Sequence, residues 1–129
     1  MARILVVEDN LANRKLLAGL LAQQGYEIVA LEDAEQILEE TLAFRPDLIL
    51  MDLRLPGRDG YSAIEILRRD PASADIPIVV TSAYALPVDT HRALELGVTE
   101  YFSKPLDIPR FLARIGALTG EPGRCQPGA

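Results

Sequence analysis

Short, continuously apolar runs alternate along this chain with longer stretches whose apolar residues recur at three- and four-residue spacing, and that alternation limits the fold more than any other feature. The runs are Ile4–Val7, Tyr26–Leu31, Leu48–Met51, Ile78–Val80 and Tyr101–Ser103. Strands that are apolar at every position, rather than at every second one, are buried on both faces, as in a parallel sheet covered by helices. The helical stripes between them are Leu16, Leu17, Leu20 and Leu21, ending near Gly25, then Ala34, Ile37, Leu38, Thr41 and Leu42. A third, with Ile64, Ile66 and Leu67, closes at Asp70-Pro71; a fourth helix runs from Pro87 to Gly97; a fifth takes Ile108 through Phe111, Leu112 and Ile115 to Leu118 and stops before Gly120.

Five strands in strict alternation with five helices require right-handed crossovers. The expected fold is therefore an α/β three-layer sandwich of flavodoxin-like topology, a five-stranded parallel sheet of order 2-1-3-4-5 with its switch point between strands one and three. With 129 residues, 49% of them hydrophobic and 25% charged, the chain has the composition and size of one soluble globular domain. That domain is placed at residues 1–119, followed by a flexible Pro/Gly-rich tail at 120–129 that is too short and polar for an effector unit. Thirteen Lys plus Arg against nineteen Asp plus Glu leave a net charge of −6, with the basic residues scattered, so direct nucleic-acid binding is not expected. No apolar run approaches the roughly 18 residues that span a bilayer, and Met1-Ala2-Arg3 leads straight into a strand, which argues against membrane insertion and for a cytoplasmic protein. The single Cys125 lies in the tail and reads as an incidental thiol.

Four of the runs end in groups able to touch a phosphate or a metal ion: Glu8-Asp9, Asp52, Thr81-Ser82 and Lys104-Pro105. In an open parallel sheet the carboxyl ends of neighbouring strands converge on one crevice, so these ends form one site. Carboxylates held a few ångströms apart repel one another unless a cation neutralises them, and hard oxygen ligands on a partly open site suit Mg²⁺. Asp9 and Asp52 are the expected direct ligands and Glu8 a water-mediated one. Glu8-Asp9 also fits an N-terminal cap of the first helix, a role Asn10 fills equally well; the third acid across the crevice favours the metal. Asp52, followed by a loop that turns at Pro56-Gly57, is a candidate nucleophile toward phosphorus. Lys104 supplies the opposite charge for Asp52 or for an added phosphoryl group, and Pro105 suits a cis bond that aims it back over the strands.

The acidic pair, Asp52 within Met51-Asp52-Leu53-Arg54-Leu55-Pro56-Gly57-Arg58-Asp59-Gly60, and Lys104-Pro105 together resemble the receiver domain of two-component response regulators, the CheY-like fold, over about residues 3–118. Thr81-Ser82-Ala83-Tyr84-Ala85 is similar to the stand-alone, DivK-type regulators. That resemblance implies phosphoryl transfer to Asp52 from a sensor histidine kinase or histidine phosphotransfer protein, with Mg²⁺ held by Asp9, Asp52 and the backbone carbonyl of Arg54. It also implies phosphate contacts at Ser82, Ala83 and Lys104. The family hydroxyl stands five residues after the strand-opening proline, here Pro77, which selects Ser82 over Thr81; Thr81 then faces the other side of the strand. Tyr101, three residues before Lys104, matches an aromatic switch that turns inward when Ser82 moves. Output then passes through a contact with a downstream protein; a phosphorylation-dependent dimer is left open. The kinase-facing surface is expected at Leu11, Asn13, Arg14 and Leu17 with Pro105-Leu106, and His91, in the fourth helix, reads as a surface residue.

Two other classes compete with a phosphoacceptor module, and a receiver fragment of a larger regulator remains an alternative to the stand-alone form. A Mg²⁺-dependent phosphoesterase needs a second acid or a histidine beside the nucleophile, whereas Leu53-Arg54 follows Asp52. A flavin carrier needs a hydroxyl- and Gly-rich loop after the first strand, where Asp9-Asn10-Leu11-Ala12 stands. Arg54 and Tyr84 depart from the family pattern and flank the route by which water reaches an acyl phosphate. Arg54→Ala is expected to change the autodephosphorylation rate, followed by loss of the phosphorylated mass with time; equal rates exclude a role for the arginine.

Overall fold

The computed structural model describes residues 2–53, 60–82 and 87–120, with residues 87–90 described by backbone only. The apolar runs become β1 (Arg3–Val7), β2 (Glu27–Leu31), β3 (Leu48–Asp52), β4 (Ile78–Ser82) and β5 (Glu100–Ser103). Between and after them lie α1 (Leu11–Gln23), α2 (Ile37–Phe44), α3 (Gly60–Arg69), α4 (Pro87–Glu95) and α5 (Ile108–Thr119). All strand pairs are parallel and the order is β2-β1-β3-β4-β5, as the alternation requires. Val7 at the end of β1 pairs with both Leu31 and Met51, so the chain leaving β1 and β3 opens onto the switch point.

Successive side chains of a strand point to opposite faces, and the core divides accordingly. Leu5, Val7, Ile49, Met51, Ile78 and Val80 join Ile37, Ile64, Leu67 and Ala93 on one side of the sheet. Ile4, Val6, Leu48, Leu50 and Val79 join Leu17, Leu21, Phe111 and Ile115 on the other. Each central strand thus buries both of its faces, which is why it is written without polar alternation.

The local signals act where the sequence places them, with some shifts. Asn10 caps α1, its side chain accepting from the Asn13 N–H at 2.9 Å, and Gly25 then turns the chain with φ of 96°. Leu17 and Leu21 are buried as expected, but Leu16 is 57% exposed: a helix lying on a sheet covers a narrow line, and Leu16 falls beside it. Ala34 is buried ahead of α2 rather than within it, and Leu42 is exposed on the outer face. Tyr26 precedes β2, buried in the α1–α5 side with its hydroxyl 3.3 Å from Thr119 Oγ1. Helix α4 stops at Glu95, two residues short of Gly97. The tail beyond Gly120 lies outside the described residues.

At the opposite end of the sheet from the candidate site, Arg68 of α3 ties two connections together through backbone carbonyls. Its guanidinium donates to Ala74 O at 2.8 Å, Ile76 O at 2.9 Å and Gly97 O at 2.9 Å, with a longer bond to Ser73 O. Burial lowers the pKa of this arginine, and Asp75 acts in the opposite direction. Arg68→Met leaves these carbonyls without their donor and is expected to lower the unfolding free energy by about 2 kcal/mol, the scale of lost hydrogen bonds to a charged group. Urea denaturation measures it, and a loss below about 0.5 kcal/mol shows that water replaces the guanidinium.

Candidate functional site

Three strand ends meet around one ammonium group. Glu8, the residue after β1, donates its N–H to Leu31 O at 3.0 Å and is only 1% exposed. Asp52, the last residue of β3, is 5% exposed. Lys104, just past β5, donates from Nζ to Glu8 Oε1 at 2.8 Å and to Asp52 Oδ2 at 3.0 Å. Its backbone N–H is held by Ser82 O at 2.8 Å, which fastens the end of β5 to the end of β4, and the Lys104–Pro105 peptide bond is cis. Glu8 Oε2 also accepts the Asn10 N–H at 3.2 Å. Asp9 lies exposed at the rim, and one carboxylate oxygen from each of Glu8, Asp9 and Asp52 falls within 4.8 Å of the others.

Among the described residues, three carboxylates face one lysine in the crevice. Burial raises the Glu8 pKa most, the Lys104 hydrogen bond lowers it, the Asp52 interactions raise it again, and the net shift is upward. Burial pulls the Lys104 pKa down, but its bonds to Glu8 and Asp52 outweigh that, so the ammonium is held more firmly than usual. An all-oxygen donor set with excess negative charge and one ligand open to solvent fits a hard divalent cation such as Mg²⁺.

Sequence reasoning anticipated Asp52 beside Lys104 but not Glu8 as the closer partner of that lysine. Thr81 pairs in register with Asp52, and Ser82 pairs with Ser103 one step further toward the carboxyl ends. Both hydroxyl residues are buried. By strand alternation Ser82 follows Val80, and Tyr101 packs against that same side of the core, so these two share a face while Thr81 follows Val79 on the other. Arg54, Ala83 and Tyr84 lie outside the described residues. His91 is exposed and pairs with Glu95 one turn on, as a surface residue does.

Two further residues shape the site without any group of their own in it. Gly60 opens α3 against the end of β3, its N–H donating to Leu53 O at 3.2 Å; a Cβ there would lie 2.7 Å from Leu53 Cα and 2.9 Å from Asp52 O. Only glycine permits that approach. Arg14, expected from the family resemblance on the kinase-facing surface, donates from Nη1 to Glu8 O at 2.9 Å and Asp9 O at 3.3 Å. Leu17, from the same assignment, is buried. Leu11 is exposed, while Asn13 and Leu16 line an apolar groove of about 560 Å³ with Pro105, Leu106 and Ile108, and the groove reaches Glu8 and Lys104.

This acid and lysine crevice lies at the switch point of a 2-1-3-4-5 parallel sheet. The response regulator receiver domain model matches residues 4–116, and the chain belongs to that family. It is 35% identical over 118 residues to the polar-differentiation response regulator DivK of Brucella anthropi, covering 92% of this chain and 96% of that one. DivK of Brucella ovis is 34% identical over the same shares. Among solved structures, the receiver domain of sensor histidine kinase PA1611 from Pseudomonas aeruginosa, which has a magnesium ion coordinated in its active-site cleft, superposes with a TM-score of 0.84 at 33% identity, over 92% of this chain and 98% of that one. The BeF₃-activated N-terminal receiver domain of Klebsiella pneumoniae RstA gives a TM-score of 0.85 at 27% identity, over 91% and 97%. No helix among the described residues is long and apolar enough to cross a membrane.

A buried acid whose pKa is raised on folding contributes stability that is present below its unfolded value, near 4.5, and is lost as pH rises through the raised value. Glutamine at this position keeps an oxygen for Lys104 and removes the charge. With divalent cations chelated, Glu8→Gln is therefore expected to melt above the native protein at pH 8, with a smaller difference at pH 4.5. An unchanged difference between the two pH values in thermal melts contradicts the electrostatic account.

Proposed function

We propose that this chain is a stand-alone phosphoacceptor module in which Asp52 takes a phosphoryl group from the phosphohistidine of a sensor kinase or phosphotransfer protein. The observation that carries this reading is the Lys104 ammonium shared by Glu8 and Asp52, with Asp9 completing a set of three acids. A carboxylate oxygen of Asp52 attacks phosphorus, the P–N bond to the imidazole breaks, and an acyl phosphate forms while the nitrogen keeps the bonding pair. Lys104 already stands 3.0 Å from an Asp52 oxygen, so a short movement lets it donate to the added phosphoryl oxygens. The Ser82 hydroxyl and the Ala83 backbone are the further phosphate contacts. Glu8, Asp9, Asp52 and the Arg54 carbonyl are the residues that would hold Mg²⁺, which when bound offsets the negative charge gathered by donor and acceptor.

The partner is a helical one, seated in the groove between α1 and the 105–108 segment, where Leu16 and Leu106 offer apolar contact beside Lys104. Ser82 and Tyr101 act as the switch that carries the state of the crevice to the surface of α4, β5 and α5, where a downstream protein binds. Chemistry is limited to self-phosphorylation and autodephosphorylation, and a cytoplasmic location goes with this reading. Residues 1–119 form the receiver domain on this reading.

Incubation with acetyl phosphate and Mg²⁺, followed by intact mass, is expected to add one phosphate to the native protein and none to Asp52→Asn or to the native protein in chelator. A one-phosphate adduct that persists in Asp52→Asn refutes the assignment.

A further inference from the structure

The Asp9 carboxylate is a member of the acid cluster, yet no hydrogen bond to it is made among the described residues. Its aim is set by the backbone. Arg14, one turn into α1, donates from a single nitrogen, Nη1, to Glu8 O at 2.9 Å and to Asp9 O at 3.3 Å. Those two carbonyls belong to the peptide planes on either side of the Asp9 Cα. Fixing both planes fixes the direction in which the Asp9 side chain leaves the chain. The grip is itself anchored, because the Arg14 N–H bonds to Asn10 O at 2.8 Å and Asn10 caps the helix.

We infer that Arg14 is a positioning residue for divalent-cation binding: it straps the turn between β1 and α1 so that Asp9 faces the crevice. The inference rests on the reading that Glu8, Asp9 and Asp52 take a divalent cation. It runs against the residue's own charge, since a guanidinium near a cation site repels the cation. Removing it strengthens binding if charge is all that matters and weakens binding if positioning matters. The sign of the effect separates the two.

The experiment is calorimetric titration of Mg²⁺ into the unphosphorylated full chain, its Arg14→Met variant and its Lys15→Met variant. Lys15 is the exposed neighbour on α1 and controls for the loss of one positive charge. Arg14→Met is expected to raise the Kd about tenfold, the lower range for losing a residue that orients a metal ligand. Lys15→Met is expected to bind within twofold of the native protein or tighter. A Kd for Arg14→Met equal to or below the native value overturns the inference whatever happens to the melting temperature, and so does equal weakening in both variants. Should Arg14→Met fail to fold by circular dichroism, Arg14→Gln, too short to span both carbonyls, is read in the same way. A native protein that takes up no Mg²⁺, and so matches Asp9→Asn, overturns the cation reading and this inference with it; failure of Arg14 alone is told apart because the native protein then binds and Asp9→Asn does not.

Discussion

The ammonium of Lys104 holds together the groups that the sheet brings to one place. Three carboxylates gather where β1 and β3 end, two of them almost sealed from water, and like charges in such surroundings repel strongly. Lys104 reaches them from the far side, past β5, and binds both buried ones at hydrogen-bond distance. Its own backbone is pinned to Ser82 O, so the ends of β1, β3, β4 and β5 are joined through a single residue. Among the described residues the acids of the crevice outnumber the lysine, which makes it receptive to a cation; on the proposed function, a phosphoryl group on Asp52 would give Lys104 a second anion to bind.

The architecture was legible because burial on both faces leaves a mark that short polar-alternating strands do not. The central strands β1, β3 and β4 contain the apolar runs 4–7, 48–51 and 78–80 as read, extended by Arg3, by Asp52 and by Thr81-Ser82 respectively. Misplacements came where apolar character and burial part company. Leu16 and Leu42 carry the helical spacing but stand at the margins of their helices' buried lines, and Ala34 is buried in a turn before α2 begins. Periodicity records which residues are oily; it does not record how much of a helix a sheet can cover.

The site divides in a similar way. Glu8, Asp9, Asp52 and Lys104 could be placed together because topology alone brings strand ends to one crevice. That Glu8 rather than Asp52 lies nearest the lysine could not be read, since it depends on how far each residue stands past its strand. The backbone roles of Gly60, Arg14 and Arg68 were missed for a common reason: each works on main-chain atoms. A glycine admitted against Asp52 O, and arginines spent on main-chain carbonyls, leave no pattern of complementary side chains in the sequence. For Gly60 the available signal was its place in the sequence, shortly after Asp52.

The groove beside α1 shares a wall with the crevice. Glu8 and Lys104 belong to both, whereas Asn13, Leu16, Leu17, Pro105, Leu106 and Ile108 belong to the groove alone. On the proposed function, the surface is thereby split into a part tied to the chemistry and a part that makes contact only. If the groove seats the partner as proposed, substitutions at the positions confined to the groove would change which partner fits without touching the acids and the lysine. That division is drawn within a single cavity.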